Sequence, residues 1–99
     1  LNWVMDTPTE DEIRDVARLR MAGVLLDEKN PAEALKLVDT KPVESMTGLY
    51  ADLKGDILFL QDRKAEARSS YQFALDKSEA GSAYRSAIQL KLDALGETK

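Results

Sequence analysis

The sequence predicts an all-α fold of about five helices, arranged as antiparallel hairpins that end in a capping helix. Three observations lead to this prediction. Apolar residues recur at the three- and four-residue spacing of one helical face. No run of alternating β-branched residues is present. Parts of the chain also repeat with a period of 33 residues, which indicates that one helical hairpin is followed by another of the same kind.

The first helix is predicted to begin between Pro8 and Glu10. Thr9 followed by Glu12 forms a capping box, in which the two side chains satisfy free backbone amides at the helix start, and Thr7 with Glu10 is an alternative box. Apolar residues at helical spacing then define the face expected to point to the core. That face comprises Ile13, Val16, Ala17, Met21, Val24 and Leu25.

A tight turn near Lys29 is expected to lead into a short second helix. Asn30 is a candidate side-chain cap, Pro31 suits the first helical position, and Glu33 can reach back to the cap amide. The helix should stop before Pro42, because the residue that precedes a proline avoids helical backbone. Its core residues are expected to be Ala34, Leu35 and Val38.

Three more helices are predicted. The third spans 45–60, the fourth spans 63–77 with Asp62 as its cap, and the last spans about 82–95 with Gly96 at its C-terminal end. The residues expected to face the core are Leu49, Leu53, Ile57 and Leu58 on the third helix, Ala67, Tyr71, Ala74 and Leu75 on the fourth, and Tyr84, Ala87, Ile88 and Leu95 on the last.

The 33-residue period follows from the segment Ala32-Glu33-Ala34, which repeats as Ala65-Glu66-Ala67. Small residues recur where two helices must approach closely, and large ones where a gap must be filled. This pattern resembles the tetratricopeptide repeat, a helical hairpin of about 34 residues. An ordinary helical bundle with a coincidental three-residue repeat is the alternative. The same offset pairs Ala22 with Gly55, Val24 with Ile57, Leu25 with Leu58 and Val38 with Tyr71.

These patterns give a prediction of domain organisation. The apolar segment Leu1–Met5 is expected to be the last turn of a preceding helix, so that residues 1–7 are a remnant of that helix and its loop. The repeat domain then covers 8–96, and residues 97–99 form a tail. Within the domain, the repeat units are predicted at about 9–41 and 45–78, and the capping helix at about 82–95.

The composition excludes several kinds of chemistry. The 99 residues include neither Cys nor His, which removes thiolate nucleophiles, disulfides, imidazole bases and the usual zinc ligands. The net charge of −4 comes from interleaved acidic and basic residues, so nucleic acid is not an expected partner. We therefore expect no catalytic residue, no cofactor and no metal ion. An acid–base pair of Asp52 and Asp56 in a hydrolase is a distant alternative.

The resemblance to tetratricopeptide repeats implies a partner-binding groove lined by the first helix of each hairpin. Such a groove would prefer an apolar segment with basic residues. Its Leu and Asp positions disfavour the carboxylate clamp that binds acidic chaperone C-termini. In the other interpretation, one of the chain's own ends, either Leu1–Met5 or the C-terminal helix, packs on this face. The candidate groove residues are Leu19, Gly23, Leu26, Asp52, Asp56 and Phe59.

Two segments, Asp15–Asp39 and Gly48–Lys77, are similar to the repeat region of YfgM-like proteins, the ancillary subunits of the bacterial SecYEG translocon. The similarity lies in Ala-Arg-Leu-Arg before the Leu-Leu pair, Tyr-Ala-Asp-Leu-Lys-Gly-Asp, and Glu-Ala-Arg-x-x-Tyr-x-x-Ala-Leu. It implies a non-enzymatic periplasmic repeat domain in a Gram-negative bacterium, held at the inner membrane by an N-terminal anchor outside this sequence.

The same resemblance implies two protein partners, the SecYEG translocon and the membrane-anchored periplasmic chaperone PpiD. Two alternatives stay open at this point. One is a cytosolic adaptor or oligomerisation domain of a regulatory complex. The residues upstream of Leu1 distinguish it from the periplasmic domain: a soluble domain there would favour the cytosolic adaptor, and an apolar run of about 20 residues would favour the membrane-anchored protein. The other concerns assembly, since an exposed apolar face could also pair two copies into a homodimer.

Overall fold

A computed structural model describes residues 9–78 and 82–97, and within these ranges the regular secondary structure is entirely helical. The prediction of an all-α fold with about five helices is confirmed. The helices are α1 (Glu10–Asp27), α2 (Pro31–Val38), α3 (Thr47–Leu60), α4 (Lys64–Lys77) and α5 (Ala83–Glu97), and a single 3-10 turn (Glu44–Met46) leads into α3.

Helix α1 begins at one of the two predicted capping boxes. The Glu12 amide donates to the Thr9 hydroxyl at 3.1 Å, and the Thr9 amide donates to the Glu12 carboxylate at 2.8 Å. The alternative box involves Thr7, which lies outside the described residues. Acidic side chains in the first turn add a favourable interaction with the helix dipole.

The turns inside the two hairpins have the same backbone geometry. Lys29 and Asp62, one period apart, adopt the left-handed conformation with φ of 62° and 63°. The amides of the next residues, Asn30 and Arg63, each donate to the carbonyl five residues earlier, at 2.8 and 2.9 Å. This is the Schellman arrangement, which ends a helix by satisfying its last carbonyls. The repeat is therefore present in the backbone as well as in the sequence.

The side-chain caps predicted for α2 and α4 are wrong. Asn30 makes no side-chain bond to the amides of α2, and Glu33 pairs instead with Lys36 at 3.2 Å. Asp62 occupies the left-handed position, so Arg63 precedes α4. The physical reason is that Asn30 and Arg63, which follow the left-handed residues, donate the last hydrogen bond of each turn. Their ψ angles of 65° and 68° differ from the extended backbone that a capping residue adopts, so their side chains do not reach the helix amides.

The described apolar side chains form two clusters, and each cluster joins one hairpin to the first helix of the next. Helix α3 belongs to both, with Tyr50 and Ile57 in the first cluster and Ala51 and Leu58 in the second. The other buried members are Ala22, Ala34, Val38 and Met46 in the first cluster and Ala67, Tyr71, Ala74, Leu75, Ile88 and Leu95 in the second.

Two tyrosine hydroxyls tie successive first helices together. The hydroxyl of Tyr50 on α3 donates to the Asp15 carbonyl on α1 at 2.7 Å. The hydroxyl of Tyr84 on α5 donates to the Gly48 carbonyl on α3 at 2.6 Å. Asp15 and Gly48 are one period apart, so the same contact is made twice along the stack.

The two helices of each hairpin approach through a small residue that faces a larger one. In the second hairpin Gly55 lies against the Tyr71 ring, and a Cβ added to the glycine would stand 2.5 Å from two ring carbons. In the first hairpin the same positions hold Ala22 and Val38, and both are buried. A larger residue on one helix is thus accompanied by a smaller one on the other.

The core face predicted for α1 is wrong in most of its members. Ile13, Met21 and Val24 are 56%, 54% and 50% exposed, and Ala17 is exposed as well. Helix α1 is apolar on two sides, so the spacing alone fits either one. The side that packs inward carries the buried Ala22 with the partly buried Val16, Leu19, Leu25 and Leu26.

Three smaller expectations also need correction. Leu49 and Ala87 are exposed, because the packed face of α3 starts one residue later at Tyr50, and α5 packs through Ile88. Helix α5 continues through Gly96 to Glu97, so this glycine is inside the helix. The remaining core residues predicted on α3, α4 and α5 are buried or half-buried. The domain boundaries stay a prediction.

Asp15 is a charged residue that is only 2% exposed. Its carboxylate accepts the Val43 amide at 2.7 Å, and the guanidinium groups of Arg14 and Arg18 lie 3.8 and 3.9 Å away. Helix α2 has 8 residues where α4 has 14, and the chain that follows α2 returns to α1 at this carboxylate. Asp15 therefore fixes the loop that follows the short α2, at the place where the longer α4 continues as a helix in the second hairpin.

Replacing Gly55 with Ala is expected to lower the free energy of unfolding by about 1–3 kcal/mol, because the added methyl group overlaps the packed Tyr71 ring. Gly23→Ala is the matched control, since a Cβ there meets nothing within 4 Å and alanine is more stable than glycine inside a helix by about 0.5–1 kcal/mol. Denaturant unfolding followed by circular dichroism measures both. Equal effects of the two substitutions would contradict this explanation.

Replacing Asp15 with Ala is expected to cost about 1.5–3 kcal/mol of stability, because the Val43 amide loses a charged hydrogen-bond partner inside the fold. The control is Asp11→Ala, whose exposed ion pair with Arg14 contributes at most about 1 kcal/mol. The same unfolding measurement compares the two variants. Similar losses for both would show that burial of Asp15 has no special role.

Candidate binding groove

The six candidate groove residues occupy equivalent positions on α1 and α3. Each of the three pairs, Leu19 with Asp52, Gly23 with Asp56, and Leu26 with Phe59, is separated by one 33-residue period. Within each helix the three positions follow at intervals of four and three residues, so they lie along one face. The two helices therefore present the same face of the repeat.

On α1 this face is partly used by the fold itself. Leu19 and Leu26 are half-buried and pack against the first hydrophobic cluster. Gly23 lies between them, and the space beside it is open, because an added Cβ would meet nothing within 4 Å. The α1 part of the candidate groove thus consists of a shallow strip at the edge of the core.

On α3 the three candidates differ in accessibility. Phe59 is 48% exposed. Asp52 and Asp56 are half-buried because Lys91 of α5 reaches over them. The C-terminal helix α5 therefore covers the two carboxylates, whereas the Phe59 ring stays accessible. The other expected cover, Leu1–Met5, lies outside the described residues. Whether the six residues bind a partner stays a prediction.

Lys91 links three side chains from α3 and α4. Its ammonium nitrogen lies 3.0 Å from Asp52 and 3.1 Å from Asp56, and 5.5 Å from the centre of the Tyr71 ring. The Tyr71 hydroxyl donates to Asp56. One lysine thus balances two carboxylates that would otherwise repel each other, and it holds α5 against the second hairpin.

This environment shifts several pKa values. Burial raises the pKa of Asp52, and the repulsion of Asp56 acts in the same direction, while Lys91 opposes both. Burial acts to lower the pKa of Lys91, but the hydrogen bonds and charges of Asp52 and Asp56 outweigh it, so the pKa lies above its usual value. The ammonium group is therefore retained well into alkaline solution.

All three tyrosines of the chain resist ionisation. Burial raises the pKa of Tyr71, and its hydrogen bond to Asp56 adds to the effect. Burial and the nearby Asp52 and Asp56 charges raise the pKa of Tyr84. Burial and the Asp15 charge raise the pKa of Tyr50, with Arg18 opposing. Each hydroxyl donates a hydrogen bond that a phenolate could not donate.

A second concave surface lies where α2 is short. It is a cleft of about 880 Å³ between the loop after α2 and the side of α4. Buried residues of α3 form part of its lining, and Phe73 of α4 is 47% exposed beside it. The sequence did not lead us to expect this cleft. The sequence feature related to it is the early end of the second helix before Pro42, which leaves the side of α4 uncovered. Its charged lining is mixed: Asp39, Lys41, Glu44, Lys54, Glu66 and Lys77.

The described residues contain neither a metal-binding cluster nor a membrane-spanning helix. No group of three or more acidic side chains in this part of the chain is arranged to hold a metal ion. None of the helices within the same ranges is long and apolar enough to cross a membrane.

The hairpin stack agrees with a comparison to known protein families. Residues 1–97 match the family model of the tetratricopeptide repeat-like domain. The chain belongs to this family. Both the predicted fold class and the predicted repeat type are thereby confirmed, and the coincidental-repeat alternative is set aside.

Two curated relatives are both named "Ancillary SecYEG translocon subunit". The one from Neisseria gonorrhoeae is 34% identical over 95 residues, which cover 96% of this chain and 46% of the relative. The one from Escherichia coli is 31% identical over 87 residues, which cover 88% of this chain and 42% of the relative. The chain thus spans less than half the length of these relatives. The similarity inferred from the sequence motifs is confirmed. No solved structure matches the chain.

Raising the pH above about 10 is expected to destabilise this repeat domain, because an unfolded tyrosine ionises near its ordinary pKa of 10.0 while the folded tyrosines keep their protons. Groups whose pKa is raised by folding stabilise the protein below that pH, and this contribution is lost as pH rises. The loss approaches roughly 1.4 kcal/mol per pH unit for Tyr71 and for Tyr84, the two tyrosines whose pKa values are raised most.

Denaturant unfolding at pH 8, 10 and 11 measures the loss, and absorbance at 295 nm reports tyrosinate. We expect tyrosinate to appear together with the loss of helical circular dichroism. The Tyr84→Phe variant has one ionisable hydroxyl fewer, so its stability should fall less steeply with pH. Tyrosinate forming near pH 10 in a protein with full helical signal would contradict the assignment.

Proposed function

We propose that this chain is a non-enzymatic protein-interaction domain of a translocon-associated protein of the inner membrane. In this proposal the repeat domain lies on the periplasmic side and links the Sec machinery to a periplasmic chaperone of the PpiD type. The protein would be anchored in the membrane by a segment outside this sequence. Its partners are proteins, and no cofactor takes part.

One observation carries most of this proposal. Similarity to ancillary SecYEG translocon subunits extends over 96% of the chain, and it therefore includes both hairpins and α5. The similar region is a stack of helical hairpins, a type of architecture that binds partners through extended surfaces formed by neighbouring repeats. We therefore take the partner named for the relatives, the SecYEG translocon, as the proposed partner of this domain.

The accessible part of the candidate groove suggests how contact is made. Phe59 offers an exposed aromatic ring on α3, next to Leu60, which is also exposed. On α1, Gly23 at the position equivalent to Asp56 provides room for a partner backbone or side chain. An apolar partner segment would gain contact area here, and exposed aromatic residues are frequent anchors in protein interfaces.

The carboxylates beside Phe59 give this surface a charge preference. Asp52 and Asp56 are satisfied internally by a single lysine, Lys91, so the pair keeps a net negative charge. A partner with a Lys or Arg next to its apolar residues would interact favourably with this edge. An acidic partner would be repelled, which is the reason to favour a basic and apolar segment.

Site-specific photo-crosslinking in bacterial membranes tests this proposal on the natural protein that contains this chain. Phe59 is replaced by benzoylphenylalanine, and Phe73 is replaced in the same way in a matched control. The two rings have nearly the same exposure, 48% and 47%, but they lie on the first and second helix of the hairpin respectively. We expect crosslinks to SecYEG or to a PpiD-type chaperone from position 59.

The control should give few such crosslinks, because α4 does not line the candidate groove. Recovery of cytosolic proteins alone would overturn the proposed location and favour the cytosolic adaptor. Equal crosslinking from both positions would reject the groove while leaving the translocon association intact. Asp52→Lys should weaken the position-59 crosslinks if the partner segment is basic.

A further inference from the structure

The outer side of α1 is an apolar surface without a cover among the described residues. It forms a concavity of about 450 Å³ lined by Ile13, Val16, Ala17, Arg20, Met21 and Val24. Three of these side chains are at least half exposed. A row of exposed aliphatic side chains of this kind indicates a surface that packs against another element.

The repeat itself shows what this surface is built to contact. One period later, Ile13, Ala17 and Val24 correspond to Met46, Tyr50 and Ile57. These three counterparts are buried in the first hydrophobic cluster, where they pack with Ala34 and Val38 of α2. The side of α3 that meets the second helix of the preceding hairpin is therefore equivalent to the exposed side of α1.

Helix α5 also packs against the second helix of the hairpin before it, α4, with Ile88 and Leu95 in the same cluster as Ala67 and Tyr71. It does so through other positions, because Ala83 and Leu90, one period after Tyr50 and Ile57, are exposed. Both α3 and α5 thus pack against the second helix of the preceding hairpin. For α1 the corresponding element would be a helix that ends shortly before residue 9.

The sequence contains a segment in that position. Counting back one period from Ala34 and Val38 leads to Leu1 and Met5. Both lie outside the described residues, and both are apolar, as the equivalent positions of α2 and α4 are. The sizes also change in a compensating way, because α1 has Ala17 where α3 has Tyr50, while the segment has Leu1 where α2 has Ala34. A larger residue on one side would face a smaller one on the other.

We propose that Leu1–Met5 packs on the outer side of α1 as the counterpart of the last turn of α2. The surface formed by Ile13, Ala17 and Val24 is then an interface within the stack. Because α1 has no tyrosine at the position of Tyr50, this contact lacks the hydroxyl-to-carbonyl bond that joins the later units. It would rest on apolar packing alone. The proposal is independent of the proposed function.

Disulfide trapping tests this arrangement in the full 99-residue chain, which contains no cysteine of its own. The test variant combines Met5→Cys with Ala17→Cys. The matched control combines Met5→Cys with Asp11→Cys, whose side chain is exposed and lies about 120° around α1 from Ala17. Asp11 is six residues nearer to Met5 in sequence, so an unattached segment would reach it at least as fast.

We expect the 5–17 bridge to form at least about tenfold faster than the 5–11 bridge under mild oxidation, because docking raises the effective concentration of the first pair. Peptide mapping and non-reducing electrophoresis measure both rates, and circular dichroism checks that the variants are folded. Equal rates, or a faster 5–11 bridge, would overturn the proposal. The single variant Ala17→Cys tests the homodimer, since rapid formation of 17–17 disulfide dimers would show that a second copy occupies the surface.

Discussion

Helix α3 buries side chains on two sides, and the rest of the structure depends on this arrangement. Tyr50 and Ile57 complete the core of the first hairpin, while Ala51 and Leu58 complete that of the second. Neither hairpin could enclose its apolar residues without the neighbouring helix, as expected for repeat proteins, in which each unit contributes half of an interface. The close approach of Gly55 and Tyr71 allows the second hairpin to remain narrow enough for this packing.

Polar contacts fix the relative positions of the helices, which apolar packing alone would not specify. The tyrosine hydroxyls of α3 and α5 bond to main-chain carbonyls one repeat earlier, which fixes how far each first helix is displaced along its predecessor. Asp15 holds the loop that follows the short α2, and Lys91 holds α5 against two carboxylates of α3. Because each of these groups is buried or half-buried, a shifted packing would leave it without a partner, at a cost that apolar contacts do not offset.

The candidate groove shows how the fold and a binding role share the same residues. Leu19 and Leu26 support the first core, and Asp52 and Asp56 receive α5, so four of the six candidates have a structural role. Phe59 is exposed without an evident structural purpose, which makes it the most informative position for a partner contact. The similarity to translocon subunits covers the domain but less than half of each relative, so the activity of the whole protein is a proposal.

The sequence by itself determined the helices, the period and the family, because helical spacing, Pro31, the capping box at Thr9 and the small positions are local signals. It did not determine which of two apolar sides of α1 faces the core. Both sides of α1 are apolar, since one packs within the hairpin and the other matches the surface that joins successive units. The tertiary structure alone decided this, and it alone revealed the buried Asp15, the Lys91 bridge and the cleft beside α4. These features depend on residues that are distant in sequence and meet only when the hairpins stack.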